Sequence, residues 1–193
     1  MKTVIMFNGP PGIGKDTLID ALGADAYMCR VSDIIKSGAD EHYGLPEGTF
    51  HQWMADREMK DKKFYTDSES GVDKFLSPRE MLIHYADNVV KPLEGETIFI
   101  ERLADKAFAQ TRYDEIILRD LGYSYEVAPF ANEADKVIII QLHHPDFNFN
   151  YDSREYVSSD LFNVKTYRID VKRGDIPSTL SDIETTLRQE FRV

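Results

Sequence analysis

Residues 3 to 17 join an apolar segment to a glycine-rich turn that ends in a lysine. The apolar part runs from Thr3 to Phe7, and the turn reads Gly9, Pro10, Pro11, Gly12, Ile13, Gly14 and Lys15. This order fits the G-x-x-x-x-G-K pattern, in which glycines let successive backbone N–H groups point inward at an anion. A helix that begins at the lysine adds its positive end, and the lysine supplies a charge for the phosphates. The pattern predicts a site for a nucleoside triphosphate.

Asp16 follows Lys15, at a position where this pattern has serine or threonine, and Thr17 comes next. The usual hydroxyl at that position binds Mg²⁺. A carboxylate can bind the ion or one of its waters, because Mg²⁺ prefers hard oxygen ligands and keeps several waters. Alternatively, Asp16 only stabilises the start of the helix through its charge. Both interpretations of Asp16 stay open, and Thr17 is a second candidate ligand.

The charge and the cysteine content argue against several kinds of partner and site. The 193-residue chain has a formal net charge of −11, which argues against a nucleic-acid partner held by a broad basic surface. Its one cysteine, Cys29, cannot form an internal disulfide, as expected in a reducing compartment. No apolar run approaches the length of a membrane span, and the first residues do not resemble a signal peptide. We therefore expect a cytoplasmic protein with small-molecule partners and no membrane partner, and a homodimer stays open.

Five short segments have the composition of strands, and helical patterns fill the gaps. The strands are expected at residues 3–8, 26–30, 115–119, 136–142 and 164–170. The run from Val137 to Ile140 is apolar throughout, as in a strand buried on both faces. The alternation predicts an α/β fold, a parallel five-stranded sheet with helices on both faces, in one domain over residues 1–193. Ligands of such sheets bind at the carboxyl ends of the strands.

About eighty residues separate the second predicted strand from the third, which is more than a crossover connection needs. We expect a helical substrate-binding insertion over about residues 32–112, with helices at 50–60 and 78–90 among others. The charged stretch Asp56 to Lys60 is a solvated helix face when it is taken alone.

Arg79 lies in the clearest helix start of this insertion. Ser77, Pro78 and Glu80 form a capping signature around it. The charge of Arg79 opposes the helix dipole there, and a bound phosphate would offset that penalty. The alternative is a salt bridge with a nearby acid such as Glu80 or Asp73.

The third predicted strand ends in an acid, Asp120. In phosphate-loop enzymes, an aspartate at the end of a hydrophobic strand holds Mg²⁺. Arg119 interrupts the apolar run, so the alternative is an ordinary aspartate in the turn after the strand.

Several short motifs follow one another along the chain. The insertion contains Ser32-Asp33-Ile34-Ile35-Lys36, Tyr43-Gly44-Leu45-Pro46, Asp56-Arg57-Glu58-Met59-Lys60 and Ser77-Pro78-Arg79-Glu80. Beyond it come Asp120 to Tyr123 with Glu126, and then His143 to Tyr156. In this order, and with the Gly-Lys-Asp-Thr form of the loop, the chain resembles the phage deoxynucleoside monophosphate kinases, a family of P-loop nucleotide kinases, over most of residues 1–160. Many members have an arginine where this chain has Gly122, so Arg119 or Arg154 is expected to supply that cation.

The resemblance implies transfer of the γ-phosphoryl of ATP, with Mg²⁺, to a deoxynucleoside 5′-monophosphate, in the host cytoplasm if a phage encodes the protein. It implies an ATP site formed by the seven loop residues with Asp16 and Thr17. The catalytic candidates are Lys15, Arg79 and Asp120, the metal candidates are Asp16, Thr17 and Asp120, and the acceptor-binding candidates are Asp33, Lys36, Arg57, Arg79 and Arg154.

The segment from Pro145 to Tyr156, which contains Phe147, Phe149, Tyr151 and Arg154, is a candidate lid over about residues 143–158. Its alternative is a structured surface loop with aromatic side chains packed on the core. Two other functions stay open: a P-loop kinase of another small phosphorylated metabolite, and a non-catalytic ATP-binding module.

Overall fold

The computed structural model describes residues 1–67, 74–150 and 152–191. They fall into two compact units, one made of Met1–Arg30 with Ala104–Val193 and one made of Val31–Leu103. The second unit covers most of the predicted insertion at 32–112, whereas residues 104–112 belong to the first unit. The prediction of a single domain stays a prediction.

The strands and helices are as follows. The strands are β1 (Thr3–Asn8), β2 (Tyr27–Cys29), β3 (Tyr65–Asp67), β4 (Lys74–Leu76), β5 (Glu115–Leu121), β6 (Lys136–His143) and β7 (Val164–Asp170). The α-helices are α1 (Lys15–Leu22), α2 (Val31–His42), α3 (Thr49–Ala55), α4 (Pro78–His84), α5 (Lys91–Glu94), α6 (Ile98–Phe108), α7 (Val127–Ala131) and α8 (Ile176–Phe191). Short 3₁₀ turns cover Met59–Asp61 and Ser124–Glu126, and a π-helical segment covers Tyr85–Val90.

The first unit is built on a five-stranded parallel sheet in the order β2-β5-β1-β6-β7. This confirms the predicted sheet, and all five strands lie within two residues of their predicted bounds. The sheet forms because β1 and β6 carry apolar side chains on both faces, and every residue of β1 is buried. Since β1 is central, the loop that follows it lies at the carboxyl edge of the sheet.

Helices cover both faces of this sheet. On one face, Ile5 and Phe7 of β1 belong to a core cluster with Leu18 of α1 and Leu187 of α8. Alternate residues of the strands point to the opposite face, where α7 packs on β6 with Phe130 fully buried. Burying a large side chain of this kind contributes about 1.5–3 kcal/mol to the free energy of unfolding. The packed sheet therefore stabilises the positions at which the loops at its edge begin.

The second unit is mainly helical, as predicted, and two of its predicted helices differ in detail. The predicted helix at 50–60 is wrong beyond Ala55, because the Asp56 carboxylate accepts hydrogen bonds from the N–H groups of Glu58 and Met59 and turns the chain. The predicted helix at 78–90 begins with the expected Ser77 capping box and changes to π geometry at Tyr85. The antiparallel pair β3 and β4 was not predicted.

Candidate nucleotide site

The phosphate loop is the turn between β1 and α1, and glycines and one buried side chain shape it. Gly12 and Gly14 have φ values of +78° and +94°, a left-handed conformation that side chains with a Cβ rarely adopt. Between them, Ile13 is buried in the core cluster beneath the loop. Because the core holds one side of the loop, its N–H groups keep a fixed direction at the positive end of α1, as a phosphate requires.

Lys15 lies beside this loop without a carboxylate partner in hydrogen-bond contact among the described residues. Its Nζ donates to the carbonyl oxygens of Gly9 and Pro10, at 2.5 and 3.2 Å. Burial, and next the charge of Arg154, lower the pKa of Lys15 to about 8, against the opposing effect of Asp16, Asp120 and Asp152. A bound polyphosphate would reverse this shift, so the ammonium group is placed to gain from an anion.

A β-bulge in β5 contains two neighbouring charged residues, Arg119 and Asp120. Met6 pairs with Leu118 and Asn8 pairs with Leu121, so Arg119 and Asp120 together face the single residue Phe7. Bulges re-aim side chains in this way. Arg119 reaches α1, where its Nη2 lies 3.0 Å from Asp16 Oδ1 and 2.8 Å from Asp20 Oδ1. Asp120 lies near enough to Lys15 and Arg154 for its negative charge to favour the charged form of both. For Lys15 this effect partly offsets the lowering of the pKa by burial.

Asp16 is held by two arginines. Arg30 Nη2 contacts the same Asp16 Oδ1 at 2.5 Å, and Arg119 also donates to the backbone oxygen of Asp16. Thr17 is exposed beside it. Within the described ranges, no cluster of three or more His, Cys, Asp or Glu residues is arranged to hold a metal ion. An ion that takes most of its ligands from phosphates and water needs few ligands from the protein, and the metal roles of Asp16, Thr17 and Asp120 stay predictions.

Arg154 belongs to this same region of the first unit. Asp152 holds it with two hydrogen bonds, Nε to Oδ1 at 2.8 Å and Nη2 to Oδ2 at 2.6 Å. These bonds to Arg154 lower the pKa of Asp152 to about 2. The first unit therefore brings Lys15, Asp120 and Arg154 together at the carboxyl edge of the sheet.

A cavity of about 280 Å³ lies beside the phosphate loop. Gly12, Thr17, Phe147, Lys172, Gly174 and Ile176 are among its lining residues. This volume is near the lower end for small-molecule sites and suits part of a nucleotide. Sequence analysis missed the 171–176 segment, although the cluster Lys172-Arg173-Gly174 directly after β7 was a signal, because ligands bind beyond the carboxyl ends of such strands.

The other acceptor-binding candidates lie in the second unit. Lys36 Nζ donates to Asp33 Oδ1 at 3.0 Å, and His51 Nε2 lies 3.3 Å from the same oxygen. Arg79 is half exposed at the start of α4, and its Nε donates to Asp61 Oδ1 at 2.7 Å. Among the described residues its partner is therefore Asp61 and not the neighbouring Glu80. The other expected acid, Asp73, lies outside the described residues.

Arg57 stands apart from these pairs. It lies exposed in the turn after α3 rather than on the helix that the sequence predicted. The roles of all four residues, Asp33, Lys36, Arg57 and Arg79, stay predictions.

The candidate lid begins inside a strand, because β6 continues to His143. A short turn follows, with an isolated bridge between His144 and Phe147. Tyr151 lies outside the described residues, and closure of this segment stays a prediction. As for the membrane, among the helices that the structure describes, none combines the length and the apolar character needed to cross one.

Comparisons with known proteins bear on the fold. No model of a known protein family matches the sequence, and no curated protein matches it. Among solved structures, the chain is similar to an unliganded sugar kinase from a Janibacter species, with a TM-score of 0.50 and 11% identity over 97% of this chain and 95% of the other. This likeness shows the fold alone, and it agrees with the α/β fold that the sequence predicted.

Two other kinases are similar at lower scores. A gluconokinase from Sinorhizobium meliloti has a TM-score of 0.42 and 9% identity over 98% of each chain. A shikimate kinase from Bacteroides thetaiotaomicron has a TM-score of 0.39 and 13% identity over 96% of this chain and 98% of the other.

Proposed function

We propose that this chain transfers the γ-phosphoryl of ATP to a deoxynucleoside 5′-monophosphate. The observation that carries the proposal is the group formed by the phosphate loop, Lys15, Asp120 and Arg154 in the first unit. Phosphoryl transfer requires positioning and neutralisation of charge rather than a covalent intermediate. A backbone cradle with two cations and one carboxylate supplies both requirements.

On the donor side, the N–H groups of the loop and the Lys15 ammonium bind the β- and γ-phosphates. The cavity next to the loop takes the base and ribose, with Phe147 and Ile176 as apolar walls. Thr17 and Asp120, with Asp16, are the residues that would hold magnesium, and the ion would neutralise charge on the phosphates. Phe147 also lies over the loop, since a Cβ on Gly12 would come within 3.4 Å of its ring.

On the acceptor side, the second unit carries three of the proposed phosphate-binding cations, Lys36, Arg57 and Arg79. A nucleoside monophosphate is already ionised near neutral pH, so it needs cations and no dedicated general base. This set favours an acceptor that carries a phosphate.

A second candidate is a kinase that phosphorylates a hydroxyl of a small sugar-like metabolite. The likeness to a sugar kinase over 97% of this chain favours it. A hydroxyl acceptor gains from a positioned base, and Asp33, held by Lys36 and His51, is the carboxylate to test for that role.

The deciding experiment measures ADP release from ATP and Mg²⁺ with each deoxynucleoside and nucleoside monophosphate, and with sugars and hydroxy acids, offered one at a time. We expect turnover with at least one deoxynucleoside monophosphate. Lys15→Met should abolish it, because the lysine stabilises transferred charge, whereas the matched variant of an exposed lysine, Lys106→Met, should retain it. Turnover with sugars alone would favour the second candidate, and no acceptor-dependent turnover would leave an ATP-binding module.

A further inference from the structure

At the end of β5, the side chain of Arg154 lies where a side chain on Gly122 would have to be. A Cβ on Gly122 would lie 2.6 Å from both Cγ and Cδ of Arg154, closer than real Cβ atoms approach other atoms. The φ of Gly122 is not in the left-handed region, so its backbone does not require glycine. The missing side chain is what lets the Arg154 stem lie across the strand end.

The segment that carries Arg154 is fastened to the sheet. Asn8 is fully buried, and its Nδ2 donates to the carbonyl oxygens of Leu121 and Glu155, at 2.9 and 3.0 Å. Its Oδ1 accepts from the N–H of Val157 at 3.0 Å. The N–H of Glu155 also donates to the carbonyl oxygen of Gly122 at 3.2 Å. These bonds fix the backbone on the carboxyl side of Arg154, and Asp152 fixes the guanidinium.

The charges around Arg154 belong to the phosphate site. Arg154 and Lys15 repel one another, and Asp120 attracts both. Asp152 neutralises Arg154 in the absence of ligand. A phosphate beside Lys15 would meet the guanidinium as a second, planar cation, which suits bidentate contact.

We propose that Gly122 is a positioning residue, which by lacking a side chain admits Arg154 to the site as a fixed cation for the phosphates that Lys15 holds. The proposal rests on the proposed ATP site and deepens it. It makes the arginine part of the site before the nucleotide binds, rather than a group that a moving segment brings in afterwards.

The test is a double-variant cycle of Gly122→Ala and Arg154→Ala. Each single variant should lower kcat/KM about 10- to 100-fold. Gly122→Ala displaces the guanidinium group, and a displacement of about 1 Å has effects of that size. Arg154→Ala removes the guanidinium group altogether. Each should also weaken binding of a non-hydrolysable ATP analogue with Mg²⁺, measured by calorimetry. In the Arg154→Ala background the collision is gone, so Gly122→Ala should change neither kcat/KM nor Tm further. Arg112→Ala, a matched control at an exposed arginine, should behave as wild type.

Arg154→Lys sharpens the cycle, because lysine keeps Cγ and Cδ. In that background Gly122→Ala should again lower Tm and analogue affinity. An equal penalty of Gly122→Ala in the wild-type and Arg154→Ala backgrounds would overturn the proposal, since the glycine would then serve the backbone alone. Unchanged analogue affinity in Arg154→Ala would overturn it as well. If wild type phosphorylates no acceptor, the proposed function fails, while the affinity cycle still decides on Gly122.

Discussion

Asp16 is the residue at which the phosphate loop departs from its general pattern, and the structure gives its carboxylate two arginine partners. The side chain is 60% exposed, so these ion pairs contribute only about 0–1 kcal/mol to stability. We expect Asp16→Asn to fold normally. If Asp16 holds Mg²⁺ or one of its waters, Asp16→Asn should raise the Mg²⁺ concentration for half-maximal rate, and Asp16→Ser should keep partial activity through its hydroxyl. The measurement is rate against free Mg²⁺ at saturating substrates. Superimposable curves would leave Thr17 and Asp120 as the metal candidates.

Arg79 is the residue whose predicted role is easiest to separate from a structural one. Arg79→Ala should lower kcat/KM for the acceptor by an amount equivalent to on the order of 2–4 kcal/mol, with little change in ATP affinity measured without acceptor. Arg79→Lys should rescue poorly, because an ammonium group lacks the planar fork. Asp61→Asn is the matched control, since it removes the observed partner and leaves the arginine. An equal loss of ATP affinity in Arg79→Ala would contradict an acceptor role.

At the scale of elements, the turn after β5 depends on a buried acid. Glu126 is 5% exposed, and its Oε2 accepts from the N–H groups of Gly122 and Tyr123 at 2.7 and 3.0 Å. Burial raises its pKa to about 7, against these hydrogen bonds; Asp120 acts in the same direction as burial, and Arg154 opposes it. The folded state therefore binds more protons than the unfolded state between pH 4.5 and 7, so this group's contribution to stability falls as pH rises through that window.

Glu126→Gln removes that titration and keeps an oxygen acceptor. Relative to wild type, the variant should gain on the order of 3 kcal/mol in free energy of unfolding between pH 4.5 and 7. Urea denaturation at several pH values measures the difference, and Glu133→Gln, at an exposed position, is the matched control. Parallel pH curves for wild type and Glu126→Gln would show that the carboxyl titrates normally.

Elements also show where sequence reasoning reaches its limit. The strands and the loop were predictable, because continuous apolar runs and glycine spacing are local signals. The β5 bulge that contains Arg119 and Asp120 was not, since nothing within the strand encodes its register with β1. Likewise, the Asp16 arginine pairs join residues 14 and 103 positions apart, which no spacing rule connects.

At the scale of the whole molecule, binding of the nucleotide should raise the free energy of unfolding. Mg²⁺ and ATP at a hundredfold excess over Kd add about 2.7 kcal/mol to the free energy of unfolding. For a chain of this size that is a rise in Tm of roughly 5–10 °C. Thermal unfolding of wild type and Lys15→Met, with and without nucleotide, tests this. The same rise in Lys15→Met would mean that the nucleotide binds elsewhere.

The general class of the molecule was predictable from its sequence, and the acceptor was not. The parallel sheet follows from strands that can be buried on both faces, and the prediction of a donor site follows from the loop. The acceptor candidates lie in short helices and turns, such as that of Arg57, whose boundaries depend on contacts like the Asp56 carboxylate with the next N–H groups. Pattern analysis does not detect these contacts.

Strand β1 lies between β5 and β6, and its register partners begin at Glu115 and Lys136. At roughly 5–20 residues per second of synthesis, a ribosome needs about 5–20 seconds after β1 to complete the first of those partners. Throughout that interval the apolar run Val4 to Phe7 has no sheet to join, and an unpaired apolar strand associates with other chains. We therefore expect the yield of native protein in a cell to depend on how long this strand waits for its neighbours, as well as on the stability of the finished fold.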